Sequence, residues 1–377
     1  MKDFDVGIVG GGPAGLALAI ESAGLGLSTV VLERQASPVD KACGEGVMPA
    51  GLAALDRLGV LPHLEEAECA PFQAIAYVQE NGREAVGRLP SPGGLGVRRL
   101  ALHAAMVARA RAAGVTLMEQ TALRSHAIDP SGVSLFTDEE TYRAKVLVAA
   151  DGLHSPLRKA EGLELASDGP RRFGLRRHLE RAWAPRVEVH FAPGLEAYVT
   201  PAGHERVGVA FLWTQGAVEE KVTFEALLAH FPALRDRLAG APFASEPLGA
   251  GPLSQRVSKR VKDRFVLLGD AAGYVDAITG EGLSLAFTSA HVLAELLPEA
   301  LKRNAAASTF AGYERALDRL FRRYAWLAGT LVWAAGRPGL RRFAVNRLAD
   351  FPALFTWALG YAMGQSEPVT SSPQLVR

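Results

Sequence analysis

The chain reads as an α/β protein built on a parallel sheet, interleaved with a second, antiparallel sheet domain and finished by a helical C-terminal tail. Three observations predict this. Asp5-Val-Gly-Ile-Val-Gly-Gly-Gly-Pro-Ala-Gly-Leu-Ala-Leu-Ala-Ile20 passes from an apolar strand through glycines into an Ala/Leu-rich helix. Farther on, continuous apolar runs alternate with stretches of period-two alternation, the marks of buried parallel strands and of half-exposed antiparallel ones. Beyond residue 300 the pattern is helical. The first domain is therefore Rossmann-like.

Residues 6–9 form the first strand. Gly10 and Gly12 permit a tight turn with no Cβ between the backbone and a pyrophosphate, and Gly15 lets helix and strand pack closely. An anion would rest on the helix that Pro13 and Ala14 begin, where free N–H groups and the dipole favour negative charge. Residues 28–33 form a second strand. It ends in Glu33, placed as an acid that holds a ribose must be. The loop 34–48 is long for a βα connection and carries Lys41-Ala-Cys-Gly-Glu-Gly46; loops of that length are functional or mobile. Leu52, Leu55 and Leu58 then place a helix over 49–58.

Strands are expected over 72–97, a helix over 99–113, a strand at 115–118 and a hairpin of 133–136 with 141–145. That hairpin leads into 146–150, a continuous apolar strand ended by Asp151-Gly152. A second strand-rich region covers 173–213, and its clearest part pairs 197–200 with 207–211. Residues 265–268 form one more buried strand, ended by Gly269-Asp270. The expected organisation is 1–71, 98–165 and 255–300 for the cofactor domain, 72–97 and 166–254 for the substrate-binding sheet, and 301–377 for the helical region.

Composition narrows the function classes. With 377 residues, 49% hydrophobic and 21% charged, the chain has ample core and is not of the disordered type. A net charge of +1 gives no reason to expect nucleic acid. The two cysteines, Cys43 and Cys69, have no metal-ligand spacing, so no metal site is expected. Their scarcity fits a reducing cytoplasm, and neither a signal peptide nor a membrane span is predicted.

Three acids end three strands. Glu33, Asp151 and Asp270 fall where open α/β sheets bind ligands, and a carboxylate is the natural acceptor for hydroxyls. One ribose accounts for Glu33. A further acid followed by glycines points to more hydroxyls, which favours FAD, with its ribityl chain, over NAD.

At this point the chain resembles the class A flavoprotein monooxygenase and geranylgeranyl reductase superfamily, of the para-hydroxybenzoate-hydroxylase-like fold. Asp151-Gly-Leu-His-Ser155-Pro-Leu-Arg158 is similar to its "DG" motif, and Leu268-Gly-Asp-Ala-Ala-Gly273 through Gly282 to its "GD" motif. The resemblance covers roughly the first 300 residues. It implies that Asp270 accepts from the ribityl chain, that Asp151 lies near the diphosphate, and that Arg99 lies near the diphosphate or ribityl. It adds Arg34, Gly46, Leu123, Gly280, Gly282 and Leu283 to the cofactor set. The helix that Gly280 and Gly282 open is suited to stabilise charge on the pyrimidine edge of a reduced flavin.

Within the superfamily the details divide. Gly273 stands where hydroxylases often have His, and Ala277 where Pro is usual. Cys43-Gly-Glu-Gly46 and Thr279-Gly-Glu-Gly282 resemble the reductase branch, whereas Tyr198-Val-Thr-Pro201 matches its aromatic motif only loosely. The tryptophan signature of halogenases is absent. With no second glycine fingerprint, NAD(P)H is expected to dock transiently.

Cys43 is either a small packing residue or a chemical thiol. Lys41 either touches the flavin or substrate mouth or is solvated. Glu45 is either a proton relay or a cap for the following helix, and Glu281 an acid in a first helical turn. His190 and Tyr198 are expected to roof the substrate cavity. The resulting expectation is a cytoplasmic NAD(P)H-dependent monooxygenase using O₂ on an apolar, aromatic or polyketide-like molecule. The rivals are saturation of prenyl double bonds and a flavin carrier or sensor without turnover. Basic clusters and short apolar stretches in the tail leave room for peripheral membrane contact.

Overall fold

The computed structural model describes residues 2–166 and 171–363. The opening unit is β1 (Lys2–Val9), α1 (Pro13–Gly24) and β2 (Thr29–Leu32). α1 starts on Pro13, whose fixed φ suits the first helical position. After the long loop come β3 (Gly46–Val47), α2 (Pro49–Arg57), β4 (Cys69–Phe72), β5 (Ala74–Val78), β6 (Glu84–Arg88) and β7 (Gly94–Val97). Next are α3 (Arg99–Ala112), β8 (Thr116–Met118), β9 (Ser125–Asp129), β10 (Gly132–Phe136), β11 (Thr141–Ala149), α4 (Pro156–Ala160) and β12 (Glu164–Leu165). The second sheet region contains β13 (Arg172–Glu180), β14 (Arg186–Ala192), β15 (Leu195–Pro201), β16 (Arg206–Thr214), α5 (Phe224–Ala229), α6 (Pro232–Leu238) and β17 (Leu248–Ala250). β18 (Arg256–Val257), β19 (Val261–Lys262) and β20 (Phe265–Leu267) return to the first sheet region. Four helices finish the chain: α7 (Gly282–Lys302), α8 (Ala311–Ala335), α9 (Pro338–Asp350) and α10 (Pro352–Ala362).

The first sheet runs in the order β19-β20-β11-β1-β2-β8, parallel from β20 to β8. Its central strands are apolar on both faces, and Val6, Ile8, Val30, Val31, Val146 and Val148 are wholly buried. Buried pairing of this kind removes strand ends from choice: the carboxyl ends of β1, β2, β11 and β20 converge on one edge. The expected hairpin forms between β10 and β11, and its second arm is continuous with the central strand. β9 was not expected from sequence. Its residues are mostly exposed and offer no apolar alternation to read.

The second sheet has seven strands, β17-β13-β16-β15-β14-β5-β6. The expected pairing of 197–200 with 207–211 forms, with Ala197 opposite Phe211 and Thr200 opposite Gly208. Strand-like text over 72–97 divides between two sheets. β5 and β6 join the seven-stranded sheet, while β7 pairs with β3 and β4. Glycine makes that division possible: a Cβ on Gly96 would lie 1.7 Å from the Pro201 carbonyl oxygen. The seven-stranded sheet alternates strictly. Leu195, Ala197 and Val199 pack against α5 and α6 on one face, and Glu196, Tyr198 and Thr200 take the other.

α7 packs across α1, and α9 and α10 close over β6. Phe355 and Leu359 of α10 join Met48, Ile75, Val187 and Phe191 in one apolar cluster. Among the described residues, no helix is long and apolar enough to cross a membrane.

Candidate active site

The strand ends of the first sheet, the loop 34–48 and the inner face of the second sheet enclose a cavity of about 1070 Å³. Gly10, Gly12, Pro13, Ala14, Glu33, Arg34, Arg99, Leu123 and Asp151 line its nucleotide end. Cys43, Glu45, Gly46, Tyr198, Asp270, Gly280, Gly282 and Leu283 line the rest. Gly15 lies behind the turn, where a Cβ would sit 2.0 Å from the Gly10 carbonyl oxygen. Gly10 itself has φ +107°, and a Cβ there would meet the Ala150 oxygen at 2.3 Å. Two neighbouring chain segments thus dictate Gly10 and Gly15. Gly12 differs: beyond its own chain neighbours, its Cβ would meet no atom of the described residues within 4 Å, so the space in front of it is free for a ligand.

Glu33 accepts from the Gly11 N–H at 2.7 Å and from the Gln35 N–H at 2.9 Å, one on each oxygen. Each oxygen keeps a second lone pair for a ribose hydroxyl. Arg99 opens α3, is buried, and its Nε has no partner among the described residues. Asp151 accepts from the Leu157 N–H at 3.1 Å through one oxygen, while the other is buried and has no hydrogen-bond partner among the described residues. Burial pushes its carboxyl above the usual aspartate range. A buried donor and a buried acceptor without partners are the arrangement a diphosphate and a hydroxyl would satisfy.

His103 escaped the sequence reading. It stands four residues after Arg99 on the same face of α3. Its Nδ1 accepts from the Val39 N–H at 3.4 Å and its Nε2 lies 2.8 Å from the Gly11 oxygen, so the Nε2 proton is donated to that carbonyl. Burial lowers its pKa and keeps the ring neutral in this role. The imidazole ties the phosphate-binding turn to the long loop.

The loop is fixed by charge. Lys41 Nζ bonds Asp270 at 2.9 Å. Asp40 pairs with Arg176 of β13, and Glu45 with His178 of the same strand. Arg176 and His178 share the cavity face of the sheet with Tyr198 and Thr200, as the registers Arg176–Ala210–Tyr198 and His178–Gly208–Thr200 require. The other Glu45 oxygen accepts from the Arg99 N–H at 2.8 Å. Glu45 therefore caps α3, not the helix that follows it in sequence. Its φ of +59°, unfavourable for a residue with a side chain, is held by these bonds. Cys43 Sγ accepts from the Glu45 N–H at 3.2 Å, and its side chain borders the cavity.

The far end is apolar and aromatic. Tyr198 donates to the Ile278 oxygen at 2.9 Å, and burial holds its pKa well above the usual phenol range. Its hydroxyl braces the turn before α7 while the ring faces the cavity. α7 has no side-chain cap, so its first N–H groups remain open beside Gly280 and Gly282. Tyr324 of α8 supports this turn from behind through Thr279 and the Glu281 N–H. Glu281 is half-buried directly before α7, and loss of solvation raises its carboxyl above the usual glutamate range.

His190 is not in the roof. Val189 lies opposite Tyr198, whereas His190 lies opposite Ala197, on the face that packs against α5 and α6. There it bonds Glu188 at 3.0 Å, and Arg237 of α6 bonds the same carboxylate at 2.7 Å. Its role is in an ion-pair cluster behind the sheet. The sequence shows the alternation but not its phase.

A family model for an FAD binding domain matches residues 3–324. Digeranylgeranylglycerophospholipid reductase 2 of Methanopyrus kandleri is 28% identical over 326 residues, covering 82% of this chain and 80% of that protein. The menaquinone reductase of Mycolicibacterium smegmatis is 28% identical, covering 78% and 76%. Conditioned medium factor receptor 1 of Dictyostelium discoideum is 27% identical, and the match covers 79% of this chain and 64% of that protein. Among solved structures, the halogenase PltM in complex with phloroglucinol and FAD superposes with a TM-score of 0.81 at 19% identity, covering 96% of this chain and 81% of that one. The probable FAD-dependent monooxygenase pqsL superposes at 0.73 with 21% identity, covering 90% and 98%. The open space before Gly12, the orphaned Arg99 and Asp151 atoms and the uncapped α7 fit FAD, and with the family match they make this chain a member of the FAD binding domain family, an FAD-dependent oxidoreductase of the class A flavoprotein superfamily.

Proposed function

We propose that the chain is an NAD(P)H-dependent reductase that saturates carbon–carbon double bonds of a long apolar, prenyl-like substrate. This rival expectation moves ahead of hydroxylation because two relatives aligned over most of both chains are named for prenyl-lipid and menaquinone reduction. The halogenase and monooxygenase likeness is one of fold.

The observation that carries the reading is Cys43. Its sulfur accepts from the Glu45 N–H, so its S–H proton remains unspent at the cavity wall. Bound FAD, once reduced by a nicotinamide that docks transiently, supplies the hydride. The chain supplies the rest. Met48, Val187 and Leu212 offer apolar contact that orients the substrate and excludes water. Cys43 gives its proton to the carbon beside the one that receives hydride, and recovers it from solvent. The Asp40–Arg176 and Glu45–His178 pairs hold the thiol's loop in place. The N-terminus of α7 favours negative charge on the neighbouring ring edge. The same reading places the enzyme in the cytoplasm, in reach of lipid.

The test is anaerobic incubation with NADPH and a prenylated lipid. The expected result is one pair of hydrogens gained per NADPH consumed, seen by mass spectrometry. Turnover that stops without oxygen would overturn it. A second reading, hydroxylation of an aromatic or polyketide-like molecule with O₂, is favoured by the rings of Tyr198 and Tyr274, both lining the cavity and both held neutral by burial. Oxygen uptake matching NADPH oxidation would establish it.

A further inference from the structure

Eight of the fourteen large apolar side chains exposed among the described residues lie between Trp326 and Tyr361. They include three of the chain's five tryptophans: Trp326, Trp333 and Trp357 are 68%, 52% and 57% exposed. The outer stripe of α8 reads Arg315, Arg319, Arg322, Trp326, Thr330 and Trp333, and Arg337 just past its end continues it, all exposed and spaced three or four residues apart. It carries three arginines, then tryptophans, then a fourth arginine stacked over Trp333 at 4.1 Å. Arg315, Arg319 and Arg322 make no ion pair among the described residues.

α10 is stranger for a surface helix, because it contains no charged residue. Phe355 and Leu359 are buried inward, and the Tyr77 ring packs tilted against Phe355, centroids 4.8 Å apart. Leu354, Trp357 and Tyr361 point outward and are about half exposed. A helix apolar on both sides belongs inside a core or against an apolar phase. Arg323 of α8 donates to the Tyr361 oxygen at 2.8 Å, so the two helices meet.

Charge selects the occupant. Residues 311–363 contain eight arginines and three acids, in a chain whose net charge is only +1. The α8 stripe carries no acid to meet a second copy's arginines. Residues 364–377 offer only Val369, Leu375 and Val376 as sizeable apolar side chains, too few to cover the patch. Arginines beside tryptophans are what a membrane interface with anionic headgroups accommodates. The inner face of α10 belongs to the cluster containing Met48, Val187 and Tyr198, three residues of the cavity wall. We propose that α8 and α10 seat the enzyme on an anionic lipid surface, from which the apolar substrate enters the cavity; the entry step rests on the proposed lipophilic substrate.

The test is co-sedimentation of FAD-loaded, full-length protein with phosphatidylcholine vesicles, with and without phosphatidylglycerol. Sedimentation is expected only with the anionic lipid, together with a blue shift of tryptophan emission. Arg315→Gln/Arg319→Gln/Arg322→Gln should weaken binding about a hundredfold, at roughly fivefold per arginine. Trp326→Ser/Trp333→Ser/Trp357→Ser should weaken it at least about tenfold while flavin content and spectrum stay unchanged. Equal binding to both vesicle types, indifference to either triple variant, or a dimer in light scattering that the tryptophan variant dissolves would overturn the proposal. So would binding that appears only when residues 365–377 are removed. Vesicle binding is scored without turnover, so a failed reductase assay leaves it standing, and failed binding leaves the reductase assay in detergent intact.

Discussion

The two ends of the cavity are built on different principles. At the nucleotide end, backbone conformation does the work: Gly10 and Gly15 are fixed by neighbouring carbonyls, and Glu33 and Asp151 sit at strand ends. At the reaction end, position depends on ion pairs between distant residues: Lys41 with Asp270, Asp40 with Arg176, and Glu45 with His178. The first kind of construction is local and rigid. The second is a set of charges that hold a long loop against a sheet, and it is the part that separates one chemistry from another within a shared fold.

The largest expected effect falls on the local end. Gly10→Val forces a β-branched side chain into φ +107° and against the Ala150 oxygen, for a loss of about 4 kcal/mol. Thermal unfolding should show it; a variant as stable as the parent would break the argument. Glu188→Gln probes the sheet face behind the cavity. Burial alone would raise this carboxyl, but bonds to His190 and Arg237 hold it down to about 2. Its charge therefore stabilises the fold above about pH 4.5, and that contribution fades as pH falls towards 2. The variant should lose about 3 kcal/mol at neutral pH, less in acid, with turnover unchanged. Denaturant titrations across pH check this, and altered turnover would return His190 to the cavity.

Asp270→Ala should weaken FAD about a hundredfold by removing a charged acceptor, as read by flavin fluorescence. Cys43→Ser should leave FAD bound and lower turnover about a hundredfold. A normal rate returns the thiol to packing. The smallest effect belongs to Tyr198→Phe, which gives up one hydrogen bond to Ile278, about 1 kcal/mol by thermal unfolding.

The same contrast explains what the sequence could disclose. Strand, glycines and terminal acid occupy one short stretch, so Gly10 to Glu33 were readable, as were the acids that end β11 and β20. Lys41 and Asp270 are 229 residues apart, and no local pattern joins them. Glu45 was weighed as a cap for the wrong helix, because its partner Arg99 lies 54 residues on. Strand period predicted alternation at His190, but its phase comes from the register of β14 against β15. β7 left the block 72–97 because glycines let it pass beneath Pro201, a contact that exists only in three dimensions.

Tyr324 gives the architecture a timetable. The turn before α7, at residues 279–281, is braced from α8 by a side chain more than forty residues later. A chain emerging from the ribosome completes β1, α1, β2 and β11 early, so a nucleotide grip can assemble while synthesis continues. The turn that opens α7, at the apolar end of the cavity, waits for residue 324. Shortening the protein from its C-terminus would therefore remove the last brace of its reaction chamber.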